Sequence, residues 1–165
     1  MNSAAIALNR FGLGARPDEA LPADPRRWLL EQFARYQPQP PAWAGQTDTD
    51  ALLSDYQSRQ RELRSLPEGE RAAARQQLRR GARNGYLDAV NARLASAIDT
   101  PAPFVERLVH FWSNHFAVSV EKPVVLDLAG AYEAEAIRPH VLGRFEDLLL
   151  AAVRHPAMLV YLDQA

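Results

Sequence analysis

The chain has 165 residues, of which 47% are hydrophobic and 24% charged, an ordinary globular composition for one domain able to bury a core. It contains no cysteine, which excludes disulfide scaffolds, thiolate metal sites and cysteine nucleophiles, and its formal net charge of −1 excludes polyanion binding by bulk charge. No apolar run approaches the roughly 20 residues of a membrane span, and the opening Met1-Asn2-Ser3-Ala4-Ala5 lacks the basic flank and apolar stretch of a signal peptide, so a cytoplasmic protein is expected as written.

Apolar residues recur at three- and four-residue spacing with no clean alternation, which predicts helices throughout. A first helix over 3–10 ends at Gly12 and Gly14, residues able to take the left-handed conformation. Asp24-Pro25 reads as a helix start, with a capping carboxylate and a proline at the first helical position. The Pro-rich stretch 37–47, opening Gln37-Pro38-Gln39-Pro40-Pro41, is an extended loop between helices. A helix over 47–66 follows, then a long one over 70–98 whose apolar positions Leu78, Ala82, Tyr86, Val90, Leu94 and Ile98 step by four and predict a core-facing stripe. Further helices are expected over 104–116, 127–137, 145–154 and 156–163, with Lys122-Pro123 in a linking segment. The fold expected is all-α, an irregular array of about six to eight helices in a single domain over 1–165.

The segment Phe111-Trp112-Ser113-Asn114-His115-Phe116 concentrates the chemistry. At about 100° per residue, Phe104, Leu108, Phe111 and His115 share one apolar arc, which places His115 on the face expected to be buried. The plain reading is a core histidine satisfied by one carboxylate or carbonyl. The sharper one is an imidazole with a shifted pKa doing acid–base or metal work. His110 and His115, five apart, diverge on a helix and do not make a metal pair. A site joining His115 to a distant His140, Glu133 or Asp163 stays open. No dinucleotide loop, phosphate-loop lysine or nucleophile elbow is present, and a helix offers Ser113 no oxyanion donors.

Arg71, Arg75, Arg79 and Arg83 recur every four residues along the long helix. The stretch 59–93 carries nine Arg and four acids, a balance of +5, against −6 for the remaining residues. The plain reading is a solvated face, or one paired with the acidic remainder of the chain; the alternative is docking of an acidic partner. Nucleic-acid binding is not expected, because no aromatic residues suited to base stacking and no known reading motif accompany the arginines.

The stretches 7–17 (Ala7-Leu8-Asn9-Arg10-Phe11-Gly12-Leu13-Gly14-Ala15-Arg16-Pro17), 103–116 with its Phe111-Trp112-x-Asn114-His115-Phe116 core, 137–145 and 155–163 together resemble, in order, the motifs of a bacterial family known as domain of unknown function 1800. That resemblance implies a much longer protein, in which an Asn-Glu-Asn segment and an acidic, His-bearing helix follow the Tyr161-Leu162-Asp163 block. This chain is then expected to be the N-terminal portion, with any site pairing His115 to those groups incomplete. The family has no settled activity, and the resemblance implies export for many relatives. The positions matching its motifs that can do chemistry are Trp112, Asn114, His115, Arg138, His140 and Asp163. The matching Phe104, Phe111, Phe116, Phe145, Met158 and Tyr161 are expected in the core.

Two functions follow as expectations. In the first, His115 is a buried catalytic group oriented by Asn114 or Asp163, with Trp112, Arg138 and His140 on the ligand; metal and cofactor are left open. In the second, a helical module docks an acidic partner through Arg71, Arg75, Arg79 and Arg83. Self-association through apolar surface that a missing half would cover is a further expectation.

Overall fold

The computed structural model describes residues 3–14, 16 and 20–164, so Met1 and Asn2 at the start, Ala15 and Pro17 of the opening motif and the terminal Ala165 lie outside the described residues. Among the described residues there are eight α-helices and no strand: α1 (Ser3–Phe11), α2 (Pro25–Arg35), α3 (Thr49–Ser65), α4 (Glu68–Asp99), α5 (Pro103–His115), α6 (Pro123–Tyr132), α7 (Phe145–Arg154) and α8 (Pro156–Tyr161). None is long and apolar enough to cross a membrane.

Local chemistry explains the boundaries. Asp24 caps α2, its Oδ1 accepting from the amides of Arg26 and Arg27 at 3.0 Å each. Asp48 caps α3 through the amide of Ala51 at 2.8 Å. Gly14 takes a positive φ of 105° beyond α1, and the guanidinium of Arg107 accounts for that helix's free end, donating to the carbonyls of Asn9, Arg10 and Gly12 at 3.2, 3.0 and 2.9 Å. Proline opens α2, α5, α6 and α8, where its missing N–H is no loss. For this reason α6 begins at Pro123 and not at the expected Asp127; Pro123 is a helix start rather than part of a linker.

Between α6 and α7 the chain widens into a π-helical turn, Glu133–Ile137, followed by a tight 3-10 turn, Arg138–His140. Pro139 has no amide to continue an α-helical ladder, and the amide of Arg138 bonds back five residues, to the carbonyl of Glu133.

The core lies between α5, α6, α7 and α8, built from Val105, Val109, Leu128, Tyr132, Ile137 and Leu148 among others. The long helix α4 crosses α6 closely. Its buried positions are Ala82, Ala89, Ala92 and Ser96, and the expected four-step stripe is corrected: Leu94 and Ile98 are 56% and 66% exposed. A step of four overshoots the 3.6-residue turn by about 40°, so a stripe that starts against the core walks off it within a few turns. Small residues let the two helices approach. A Cβ on Gly130 of α6 would stand 2.5 Å from the Cβ of Ala89 on α4. Gly130→Ala is therefore expected to lower the unfolding free energy by about 1–3 kcal/mol in urea titration, and Ala89→Gly in the same chain to restore much of it.

Candidate functional site

α5 turns out to be rotated relative to the apolar arc read from its sequence. Its buried face is Val105, Glu106 and Val109, while Phe111 is 57% exposed and His115, the last residue of α5, is exposed as well. The expectation of a buried His115 is thus corrected. Its imidazole lies among the rings of Phe111, Trp112 and Phe116 at centroid distances of 6.3, 5.5 and 4.7 Å and makes no hydrogen bond to a described residue. Phe145 joins the cluster 5.6 Å from Trp112 and is exposed, as is Tyr161, so three of the six motif residues expected in the core (Phe111, Phe145, Tyr161) stand at the surface. Met158 is buried.

The rotation of α5 sends Glu106 into the interior, where Arg138 meets it. Arg138 donates from both terminal nitrogens to the two Glu106 oxygens at 2.7 and 2.8 Å, and both residues are fully buried. Its Nε donates to the carbonyl of Pro38 at 2.9 Å, its own carbonyl accepts from the Tyr36 hydroxyl at 2.9 Å, and the guanidinium lies 5.4 Å from the Trp43 ring centre. Burial disfavours the Arg138 charge, but the hydrogen bonds and charge of Glu106 outweigh it and hold the pKa above the usual arginine range. Burial beside Glu106 and Glu133 likewise pushes the Tyr36 phenol up. Arg138, expected as a ligand contact, is instead committed to this pair.

Glu133 opens the π turn and continues the network. Its Oε2 accepts from the Ser113 hydroxyl at 3.2 Å and lies 3.3 Å from the Arg93 guanidinium, while its Oε1 lies 3.5 Å from Arg138 without a hydrogen bond. Burial pushes the Glu133 carboxyl up, and the pull of Arg93 and Arg138 offsets this only in part. Glu133, Arg93, Ser113 and Asn114 line one cavity of about 250 Å³ between α4, α5 and α6, with the indole of Trp43 and the ring of Tyr132. The Trp43 indole N–H is buried without an acceptor, whereas the Tyr132 hydroxyl is already spent on the carbonyl of Phe116 at 2.9 Å, its pKa pushed up to about 12 by burial.

The other expected site residues are scattered. Asn114 reaches the cavity. Trp112 belongs to the aromatic cluster, and the carbonyl of His140 closes a turn by accepting from the amide of Gly143 at 2.9 Å. Asp163, two residues beyond the end of α8, pairs with Lys122 at 2.6 Å and makes no hydrogen bond to His115. Among the described residues no group of three or more His, Asp or Glu side chains is placed to hold a metal ion. Glu106 and Arg93 were not singled out from sequence: Arg93 belonged to the Arg-rich stretch read as a solvated face, and Glu106 was assigned no role. The periodicity of Ala102, Val105 and Val109 was the signal that would have turned Glu106 inward.

A buried imidazole, that of His155, caps α8. Its Nδ1 accepts from the amide of Ala157 at 3.2 Å, so Nε2 carries the proton and faces the Thr49 hydroxyl at 2.9 Å and Glu135 at 3.5 Å. With that tautomer His155 cannot take a proton from Thr49; it ties the start of α3 to α8. Burial lowers the pKa of His155 against the opposing pull of Glu135, and burial together with Arg93 lowers that of His110, whose Nε2 sits 3.9 Å from Glu106.

A family model described as a protein of unknown function (DUF1800) matches residues 6–165. No curated protein and no solved structure matches the chain.

Arg138→Met leaves the Glu106 carboxylate buried and unpaired, and is expected to lower stability by about 3–5 kcal/mol in urea unfolding. Adding Glu106→Leu should recover most of the loss. The two histidines set an acid limit. Each has a folded pKa below its ordinary 6.5, so between those values the unfolded chain binds protons that the fold does not. Their contribution is complete above about pH 7 and lost as pH falls below 6.5, and His155→Gln should flatten that slope in Tm measured from pH 7.5 to 5.

Proposed function

The chain belongs to the DUF1800 family, and from the residues around one cavity we propose that it binds a small anionic molecule between α4, α5 and α6, where Glu133 exchanges a proton with that molecule. The observation that carries this reading is the place of Glu133: a carboxyl almost fully buried, pushed up by that burial, on a residue that lines a cavity beside Arg93, with its Oε1 turned toward Arg138 and without a hydrogen bond. A carboxyl tuned upward serves as acid or base near neutral pH. Arg93 on the same wall, together with the unsatisfied Trp43 indole N–H, supplies donors for the anionic group. Ser113 holds the second oxygen of Glu133, and Asn114 lies at the cavity with an amide free to accept or donate. The enzyme-like expectation is kept, with the proton carried by Glu133 in place of His115.

The π turn supports the reading further. Such widened turns concentrate at functional sites, and this one sets Glu133 between Arg93 and Arg138.

The test is a thermal-shift panel of two- to four-carbon carboxylates, hydroxy acids and amines at pH 5.5 and 7.5. At least one anion is expected to raise the Tm. Arg93→Met should abolish that shift, and Glu133→Gln should remove its dependence on pH. If no anion stabilises the protein, or if both variants respond as the parent does, Glu133 is only a member of the buried ion-pair network.

A further inference from the structure

Apart from Arg93, the arginines of α3 and α4 lie outside that cavity and none of the contacts above uses them. Of the series spaced by four, Arg71 is committed: it donates to the carbonyls of Leu66 and Arg64 at 2.9 and 3.2 Å and closes the α3–α4 hairpin. Arg75, Arg79 and Arg83 are exposed, and among the described residues none of them has an ion pair or a side-chain hydrogen bond. Arg75 and Arg79 share the lining of a second cavity, about 180 Å³, with Arg59 from α3. Arg59 pairs with Asp55 one turn before it and lies 3.9 Å from Asp127, yet its Nε is buried without a partner. The apolar side of the same cavity is Leu63, Leu78 and Ala82.

We propose that this cavity is a binding site for a small organic phosphate. Three guanidiniums from two helices exceed what one carboxylate, which a single fork satisfies, can use. A phosphate monoester presents three terminal oxygens and can be shared among them. Two carboxylates, Asp55 and Asp127, stand against the three arginines, and both face Arg59. The uncompensated charge is therefore that of Arg75 and Arg79, where the phosphate sits. Leu63, Leu78 and Ala82 then receive the ester's apolar group, which distinguishes the ligand from free inorganic phosphate. This site does not depend on the reading of Glu133, with which it shares no lining residue.

The experiment is isothermal titration of the purified chain at low ionic strength with phenyl phosphate, inorganic phosphate and phenol. Phenyl phosphate should bind one to one, and inorganic phosphate and phenol at least about tenfold more weakly. Arg75→Gln combined with Arg79→Gln should weaken phenyl phosphate by about tenfold or more, while Arg83→Gln, outside the cavity, leaves it within about twofold. Both changes are at exposed positions, so the fold is retained. Absence of phenyl phosphate binding overturns the proposal, as does equal affinity for inorganic phosphate. An equal loss in Arg83→Gln overturns it too, since it would mean a diffuse basic face. Vesicles of phosphatidylcholine with phosphatidic acid separate a lipid source from a free one: binding to them without binding of phenyl phosphate also rejects the small-molecule site.

Discussion

A guanidinium can be buried completely only if its nitrogens all find acceptors, and the way Arg138 meets that demand organises much of this molecule. Its two terminal nitrogens take both oxygens of Glu106 on α5, and its Nε takes the Pro38 carbonyl of the Pro-rich loop. The Tyr36 hydroxyl and the Trp43 ring close over it from either end of that loop. A segment that composition marks as a spacer is thereby pinned to the core from both sides. Buried ion pairs contribute little net stability against a well-packed apolar alternative, because desolvation consumes most of the Coulomb gain. What this one imposes is geometry: with one partner displaced, the other is a charge without water or counterion.

That geometry reaches the cavity through the π turn. The turn places Glu133 one residue beyond α6 and five before Arg138, and Glu133 thereby faces Arg93 on one side and Arg138 on the other. Two arginines hold the two glutamates together, yet the carboxylates are not equivalent. Glu106 uses both oxygens on one fork, whereas Glu133 divides its two, Oε2 toward Ser113 and Arg93 at the cavity and Oε1 toward Arg138 without a hydrogen bond. The same network therefore fixes the packing of α5 against the π turn and sets one of its acids at the cavity.

Where the elements start and stop was largely legible, since capping and proline rules act over three or four residues. Asp24, Pro25 and Pro156, read as helix starts, mark them in the structure, whereas Pro103 opens α5 one residue before the expected 104–116. The phase of the helices was not. On α5 the most aromatic arc, Phe104, Leu108, Phe111 and His115, looks like the buried one, and hydrophobicity alone points there. The structure buries the adjacent arc, Val105, Glu106 and Val109, and leaves Phe111 and His115 outward; the Arg138 fork gives the Glu106 oxygens the partners without which that arc could not be buried. On α4 the error is geometric, a repeat of four read as straight along a helix that turns every 3.6 residues.

By itself the sequence determined the all-α class, the order of the helices, the absence of thiol chemistry and the family motifs, all of which depend on residue type and short-range spacing. Tertiary structure alone decided which side of each helix is buried. It therefore decided that Arg138 and Glu106 pair, that Glu133 is buried between two arginines while His115 is exposed, and that Arg75 and Arg79 share a cavity with Arg59. These pairings join residues far apart in the chain, and a charge's behaviour depends on its desolvation and neighbours, which no local pattern encodes.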